Sequence, residues 1–413
     1  DIESLIELIG KGEDRKITPR VYRSQYVRSL LDDFGRYVFD CLKGSEKSAP
    51  KLFPKNNKRA LIVRTDYGHF TSLSGPGGFI EFLPDNGYEV EEALVPLGHQ
   101  NIDFEENRSR WDLLSSAKSY LQSYQVNSFD VECQVLKKFD RYDVVHFVDA
   151  EHSGLYVALA RLQGILPKHL KLVATFHQPE DVLKKLIVNP EYLKGFDSIQ
   201  IMSPCQKDCL LELGAASEQL KVVPHGVASA HFLPGLPADF PENANTEIFS
   251  LHRRFDGKKL IISVGNWLRD YETFIDVAKN FCDREDVIFV VVSKGLSLNG
   301  GCPSNVILLN GGLSDRALHW MYRRCEIMFL PLLGGAANNA VLEAVAANTQ
   351  VVTSDLPSTR YYTNGKAIYC KSRESFIREI DNLLTTYDMG KGDYGANFGW
   401  AGVTKDLVNV VYK

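Results

Sequence analysis

Long apolar runs are missing from this chain of 413 residues. The longest ones, such as residues 287–292 and 327–333, fall far below the roughly 20 residues that a membrane-spanning helix requires. The N-terminal residues are charged and lack the apolar core of a signal peptide. We therefore expect no transmembrane segment and a soluble, cytoplasmic protein.

Cysteine is sparse and irregularly spaced. The eight cysteines show neither the paired spacing of a zinc site nor the density of a disulfide framework. Cys205 and Cys209 are regularly spaced, and they share a predicted helix face with Leu210 and Leu213, which favours core packing over metal binding. We expect free thiols in a reducing compartment.

Several motifs of common enzyme classes are absent as well. The sequence has no D-x-D pair and no H-E-x-x-H or H-x-x-E-H spacing, so a metal clamp on phosphates is not indicated. A G-x-S-x-G elbow and a Walker A loop are also missing, which removes the usual support for a hydrolase or a kinase. The formal net charge of -5 gives no sign of a nucleic-acid partner.

The chain contains two successive series of apolar runs that alternate with helical or loop segments. This alternation predicts an α/β protein with two wound parallel sheets, covered on both faces, and a ligand cleft between them. The predicted division is a helical extension at 1–55, a first domain at 56–230, a linker at 231–258, a second domain at 259–390, and a segment at 391–413 that packs back towards the first domain.

The most informative segment lies in the second predicted domain. A buried strand runs through Gly334 and Gly335 into a helix that contains Glu343. The unpaired N–H groups and the dipole of a helix start favour a phosphate. Glu343, about one turn further, is placed to accept hydrogen bonds from ribose hydroxyls. The alternative is a glycine-softened turn before an ordinary packing helix.

A second turn in this domain carries Arg269 just before a predicted helix. A cation at a helix start opposes the helix dipole, so anion binding explains Arg269 better than a structural role does. The alternative is a solvated surface charge.

Acid and base side chains follow the strands of the first predicted domain. Asp149, Glu151 and His152 follow one strand, and His177 follows another, so we expect them to converge at the strand ends. Asp149, His152 and His177 are the candidate catalytic residues. The alternative for the two histidines is a hydrogen bond to loop backbone. His146 lies within a strand and is expected to be buried structure.

Glycine is concentrated in a loop before a predicted helix at 79–84. Gly75, Gly77 and Gly78 allow close approach of backbone to a ligand, although a plain loop is an equal alternative. Their order does not fit the fingerprint of a dinucleotide-binding loop, which argues against a nicotinamide oxidoreductase.

From residue 59 to the C-terminus, the chain resembles the family 4 GT-B glycosyltransferases. The matching pieces occur in the family's order, and they include Gly77-Gly78-Phe79, Asp143-Val144-Val145-His146, Ala174-Thr175-Phe176-His177, Val223-Pro224-His225-Gly226-Val227, Val264-Gly265-Asn266, Gly311-Gly312-Leu313-Ser314, and Asn338 to Ala344. This resemblance implies two facing Rossmann-like domains. It also implies transfer of a hexosyl group from a nucleotide diphosphate sugar, UDP- or GDP-linked, to a hydroxyl acceptor, with retention and without a metal or other cofactor.

The resemblance also assigns roles to residues. Glu343 corresponds to the second acid of the E-x7-E element and binds the ribose, and Arg269 faces the pyrophosphate. The remaining donor-binding positions that it implies are Gly77, Gly78, Asn266, Asn338, Asn339 and Ala340.

Two departures from the family pattern stand out. Gly335 replaces the first acid of the E-x7-E element. Val148 stands where many members carry a histidine beside the transferred sugar, which leaves Asp149 or His152 as stand-ins.

Three questions stay open at this stage. The acceptor is a saccharide, a lipid-linked molecule or a small molecule. The helical extension packs on the first domain, or binds an acceptor carrier, a membrane surface or a partner subunit. The alternatives to a transferase are a nucleotide-sugar binding protein without turnover and a sugar-nucleotide epimerase on the same fold.

Overall fold

The computed structural model describes residues 57–67, 73, 75–96, 123–187, 190–232, 246–294, 296, 302–310, 313–386, 394–395 and 398–413. The predicted helical extension at 1–55 lies outside these residues, as do Gly311 and Gly312. No helix in the described part of the chain is long and apolar enough to span a membrane.

The first domain is built on a parallel sheet of six strands in the order β2-β1-β3-β4-β5-β6. Its strands are β1 (Lys58–Asp66), β2 (Tyr88–Pro96), β3 (Val144–Phe147), β4 (Lys171–Phe176), β5 (Ser198–Ile201) and β6 (Leu220–Val222). Alternate residues of β1 enter two cores: Leu61 and Val63 lie in one, Ala60 and Ile62 in the other. Both faces of the sheet are therefore covered, as the apolar parallel strands predict.

Helices join these strands. They are α1 (Ser123–Lys138), α2 (Leu155–Leu162), α3 (Glu180–Leu186) and α4 (Lys207–Glu212). The helix predicted at 79–84 is instead two 3-10 turns, Ile80–Phe82 and Pro84–Asn86. Pro84 accounts for the difference, because proline has no N–H to continue a helix. On α4, Cys209 and Leu210 are buried in the core, and the seven cysteines within the described residues are free thiols.

The second domain repeats the plan with the strand order β12-β11-β10-β7-β8-β9, again all parallel. Its strands are β7 (Lys259–Val264), β8 (Val287–Val292), β9 (Val306–Leu309), β10 (Ile327–Leu330), β11 (Gln350–Ser354) and β12 (Ile368–Cys370). The two sheets confirm the predicted α/β class.

The helices of the second domain are α5 (Thr246–Phe255), α6 (Tyr271–Lys279), α7 (Asp315–Arg324), α8 (Asn339–Ala346), α9 (Pro357–Tyr362) and α10 (Arg373–Thr385). Helix α5 lies inside the segment predicted as a linker. Leu251 and Phe255 of α5 are buried in the same core as Leu260 of β7, so this helix is part of the second domain. Their spacing of four residues places both on one face of the helix.

The C-terminal helix α11 (Trp400–Val410) contacts the first domain. Trp400, Val403 and Leu407 lie in one core with Ala60 and Phe79. The chain therefore crosses from the first domain to the second and returns to the first.

In both sheets the strand order reverses direction at one point, between β1 and β3 in the first sheet and between β7 and β10 in the second. Ligands of open α/β sheets bind outside the carboxyl ends of the strands at such a switch point. The loops after β1, β3, β7 and β10 are therefore where a ligand site is expected.

Helix α2 receives its N-terminal cap from another helix. Glu132 of α1 accepts hydrogen bonds from the backbone N–H groups of Gly154 (2.8 Å), Tyr156 (2.8 Å) and Val157 (2.9 Å), and from the Ser128 hydroxyl (2.8 Å). Burial raises the pKa of Glu132 to about 7, against the lowering effect of these donors. The carboxylate fixes α2 behind the strand-end loop of β3.

We expect Glu132→Ala to lower the free energy of unfolding by roughly 3 kcal/mol or more, because each buried donor left without an acceptor costs about 1–3 kcal/mol. Urea denaturation followed by circular dichroism measures this change. Glu89→Ala, at an exposed position of β2, is the matched control and should change stability little. Equal losses in the two variants would contradict the capping role.

Candidate active site

Arg269 lies at the switch point of the second sheet, directly after β7. Its guanidinium donates to the carbonyl oxygens of Val264 (2.9 Å) and Trp267 (2.8 Å), and to Oδ1 of Asn338 (3.1 Å). A guanidinium has five N–H donors, so these three bonds leave two for a ligand. Burial lowers the pKa of Arg269, whereas the nearby Glu343 raises it.

The side chain of Arg269 does not point along the helix that follows it in sequence. Asp270 is the N-cap of α6, and its side chain accepts from the Thr273 N–H (2.9 Å). Arg269 turns back over the end of β7, where its neighbour Asn338 belongs to the start of α8. The guanidinium of Arg269 therefore lies beside the start of α8 and turns away from the start of α6.

Helix α8 begins at Asn338, whose Oδ1 also accepts from the Val341 N–H (3.4 Å). Glu343, about one turn further, is 4% exposed, and its Oε2 accepts a hydrogen bond from the Tyr322 hydroxyl (2.8 Å). Burial raises the pKa of Glu343 to about 7, while Tyr322 and Arg269 lower it. Arg269 is therefore bonded to the N-cap of the helix that carries Glu343.

Three further donor-binding candidates surround this group. Asn339 lines the cavity beside Glu343, whereas Ala340 is buried in the core and can offer a ligand only its backbone. The amide of Asn266 is engaged within the protein: it donates to the Lys294 carbonyl (2.7 Å) and accepts from the Ser293 hydroxyl (2.8 Å). In this conformation Asn266 holds the loop after β7 against the end of β8.

The cavity beside Glu343 lies between the two domains. It is lined by Leu73, Gly75, His225, Gly226, Val227, Asn339, Leu342, Glu343 and Trp400. A second cavity lies in the first domain and includes Val148, Thr175, His177 and Gln200 in its lining. His225 and Trp400 line both cavities and so separate them.

At the switch point of the first sheet, Tyr67 joins two of the candidate catalytic residues. Its hydroxyl lies 3.0 Å from Nδ1 of His152 and 3.4 Å from Oδ1 of Asp149. The other carboxylate oxygen of Asp149 accepts from the Thr65 N–H (2.9 Å). Burial raises the pKa of Asp149 and lowers that of His152. Asp149 thus ties the end of β1 to the end of β3.

His177, a candidate catalytic residue, lines the cavity of the first domain. Its Nε2 donates to the Val148 carbonyl (2.7 Å), so the tautomer leaves Nδ1 as an acceptor, and burial lowers the pKa of His177 to about 4. The His177 N–H donates to Glu151 (3.1 Å), whose burial raises its pKa to about 8. The ring of His177 is therefore neutral at pH 7 and held beside Val148, the position where the resemblance expects a histidine.

His146 is fully buried, as predicted. Its ring nitrogens contact the Tyr412 hydroxyl (2.8 Å) and the Thr175 hydroxyl (2.7 Å), and Thr175 donates onward to Gln200 (2.7 Å). Because Thr175 gives its proton to Gln200, it accepts from Nε2 of His146, and Tyr412 donates to Nδ1. This network connects the C-terminus to three strands of the first sheet.

Trp400 fills the space between two glycines. A Cβ at Gly78 would lie 2.1 Å from its indole nitrogen, and a Cβ at Gly226 would lie 2.3 Å from its ring carbon Cε3. A Cβ at Gly77 would meet nothing closer than 3.6 Å. Packing against Trp400 therefore explains why position 78 is glycine, and Gly77 is left as the position open to a ligand.

His225 follows the end of the first domain, and the sequence predicts no specific role for it. Its Nδ1 donates to the Gly226 carbonyl (2.6 Å), which leaves Nε2 as an acceptor. Burial lowers the pKa of His225 to about 3, and the ring centroid lies 6.0 Å from that of His177. The backbone N–H of His225 donates to the Tyr362 hydroxyl (2.9 Å). This hydroxyl in turn donates to the Met202 carbonyl (2.6 Å), so Tyr362 joins the two domains.

The domains also meet at the strand-end loops. The indole N–H of Trp267 donates to Oε1 of Gln178 (2.9 Å), the residue after His177. Trp267 is 62% exposed and lies two residues before Arg269. The loops that carry Arg269 and His177 are thus in direct contact across the cleft.

Gly335, which replaces the expected acid, has free space around it. The nearest atom to a Cβ at this position would be the Ser358 hydroxyl oxygen at 3.8 Å. The backbone would therefore accept a side chain here. Within the described residues, no group of three or more His, Cys, Asp or Glu side chains is arranged to hold a metal ion.

The chain is similar to known glycosyltransferases. Residues 258–386 match the family model described as Glycosyl transferases group 1. An uncharacterised glycosyltransferase of Methanocaldococcus jannaschii is 22% identical over 373 residues, which cover 81% of this chain and 92% of that protein.

Solved structures share the fold at low sequence identity. The N-terminal domain of Candida albicans trehalose-6-phosphate phosphatase has a TM-score of 0.63 at 14% identity and covers 89% of this chain and 99% of that one. Anabaena HepE, solved with UDP and glucose, has a TM-score of 0.57 at 12% identity, with 86% and 99% covered. Sucrose-phosphate synthase of Thermosynechococcus elongatus has a TM-score of 0.58 at 12% identity, with 85% and 98% covered.

We expect Gly78→Ala to lower the free energy of unfolding by about 1–3 kcal/mol, because its methyl group overlaps the Trp400 ring. Gly77→Ala, one residue earlier with room for a methyl group, is the control and should be tolerated. Combined with Trp400→Ala, Gly78→Ala should add little, because contacting residues are not additive. Equal losses at positions 77 and 78 would contradict this explanation of Gly78.

Proposed function

We propose that this chain, a glycosyltransferase of the GT-B fold with a Glycosyl transferases group 1 domain at residues 258–386, moves a hexosyl group from a nucleotide diphosphate sugar to a hydroxyl acceptor. The observation that carries the donor part of the proposal is the hydrogen bond between Arg269 and Asn338, 3.1 Å long, with Glu343 about one turn further along α8. A cation, a helix start and an acceptor-only carboxylate match a diphosphate and the ribose attached to it.

The donor assignment begins with the diphosphate. Two N–H groups of Arg269 and the free N–H groups at the start of α8 would neutralise the phosphoryl oxygens. These groups are fixed by their own hydrogen bonds, so they need little reorganisation when negative charge develops on the leaving diphosphate. UDP-glucose is the first donor to test, since HepE was solved with UDP and glucose.

The acceptor side is proposed to be the cavity of the first domain. His177 lines this cavity, and its Nδ1 is an unprotonated acceptor because the Val148 carbonyl takes the proton on Nε2. A neutral imidazole can accept a hydrogen bond from a sugar or acceptor hydroxyl. We assign this contact to His177 in preference to Asp149 and His152, because Oδ1 of Asp149 and Nδ1 of His152 both contact the Tyr67 hydroxyl.

Retention and independence of a metal ion complete the proposal. Both rest on the family resemblance, and the fixed cation at Arg269 supports the second. Product analysis by proton NMR should show the same anomeric configuration as the donor, and turnover should persist in EDTA. An inverted product, or loss of turnover in EDTA that Mg²⁺ or Mn²⁺ restores, would refute the respective part.

We expect Arg269→Ala to weaken UDP binding by about 10- to 100-fold, because hydrogen bonds to charged groups contribute about 1.5–3 kcal/mol. Uridine, which has no phosphate, should lose little affinity. Isothermal titration with both ligands measures this difference. Arg373→Ala is the control, because Arg373 pairs with Glu272 and Asp276 on α6. A proportional loss of UDP and uridine affinity would contradict a phosphate role for Arg269.

A further inference from the structure

We propose that Tyr322 is a positioning residue for the donor: its hydroxyl holds the Glu343 carboxylate so that the second carboxylate oxygen accepts the ribose hydroxyls. The inference rests on the proposed function and names the residue that makes the ribose contact selective. It follows from the different surroundings of the two oxygens of one buried carboxylate.

The two oxygens of Glu343 have different partners. Oε2 accepts from the Tyr322 hydroxyl at 2.8 Å. Oε1 receives no hydrogen bond from the part of the chain that the structure describes, and Glu343 lines the interdomain cavity together with Asn339, His225 and Gly226. One oxygen is thus fixed from behind, and the other is left for a ligand.

Tyr322 is itself held firmly. It is 1% exposed in α7, and its ring packs edge-to-face on Phe232 with centroids 6.0 Å apart. Its backbone carbonyl accepts from the Thr349 hydroxyl (2.7 Å). A donor on a rigid element restricts the carboxylate to one orientation, which is how a supporting residue sharpens a binding contact.

A purely structural role explains this pair poorly. A buried carboxylate with one protein donor is costly, and an apolar pair of similar volume would stabilise the core better. Glu132, which is also buried, shows the structural solution in the same chain, with four donors on its two oxygens. Glu343 has one such donor, and it lines a cavity.

The charges around Glu343 give the contact a pH dependence. Burial raises the pKa of Glu343 to about 7, with Asp315 acting in the same direction and Tyr322 and Arg269 in the opposite one. Ribose hydroxyls donate to the ionised carboxylate, so ribose-dependent affinity should fall as the pH drops through this value. Without the Tyr322 hydroxyl the pKa of Glu343 rises, and the decline should begin at higher pH.

Tyr322→Phe tests the proposal. The ligands are UDP and 2′-deoxy-UDP, titrated calorimetrically between pH 6 and 9, with GDP and ADP and their 2′-deoxy forms used if UDP does not bind. We expect Tyr322→Phe to weaken ribonucleotide binding at pH 7 by about tenfold. The preference for ribose over deoxyribose should shrink, and the midpoint of the pH profile should move upward.

Tyr394→Phe is the matched control. Tyr394 is 2% exposed in the same core, and its hydroxyl bonds to the backbone of Val351 (2.8 Å) and Thr349 (2.9 Å), away from Glu343. This variant should keep the wild-type ribose preference and pH profile. A second variant, Glu343→Gln, should lose the pH dependence and most of the ribose preference while it remains folded.

The experiment distinguishes failure of the proposed role of Tyr322 from failure of the proposed function. If the wild-type protein prefers ribose and Tyr322→Phe keeps both that preference and the wild-type pH midpoint, the role of Tyr322 is overturned and the proposed function stands. If the wild-type protein binds none of the nucleotides, the proposed function fails and the role of Tyr322 fails with it. A shift in the pH midpoint that occurs with Tyr322→Phe and not with Tyr394→Phe supports the role.

Discussion

The candidate donor site depends on the way Arg269 joins the loops after β7 and β10. Its guanidinium bonds to carbonyls on its own loop, at Val264 and Trp267, and to the N-cap Asn338 of the next loop. Gly265 makes this possible: it adopts a φ of 95°, and a Cβ there would lie 2.8 Å from the guanidinium. The strand order places these two loops together at the switch point, so sheet topology and one side chain together determine where an anion can bind.

A second constraint connects the two domains. The indole of Trp400 lies between the glycine loop of the first domain and Gly226 in the connection to the second. Next to it, Val227 bridges to Gly399. The glycine loop, the connection and the C-terminal helix therefore share one contact region, and each of them borders the cavity beside Glu343. A substitution of Trp400 would therefore disturb the cleft, although Trp400 is distant in sequence from the other residues that line it.

The sequence predicts those elements whose residue pattern lies within one short segment. Apolar runs such as 287–292 mark central parallel strands, which are buried on both faces. Helix α5 is not predicted because it lies in a polar, proline-containing segment, and the burial of its Leu251 and Phe255 depends on partners in the second domain. The sequence does not predict the contacts of Tyr322 and His225, because their partners lie 21 and 137 residues away. The glycine loop predicts backbone freedom at Gly78, whereas its contact with Trp400 depends on the tertiary structure.

Burial of the acids also determines how an anionic ligand is received. Burial raises the pKa of Glu343 to about 7, so the cavity between the domains carries less negative charge at neutral pH than its residues suggest. A bound diphosphate would raise the pKa of Glu343 further, which would weaken its contact with the ribose. Arg269 opposes this effect because it neutralises the phosphates and favours the ionised carboxylate. One cation therefore serves both halves of the nucleotide, and the Tyr322 hydroxyl acts in the same direction from behind.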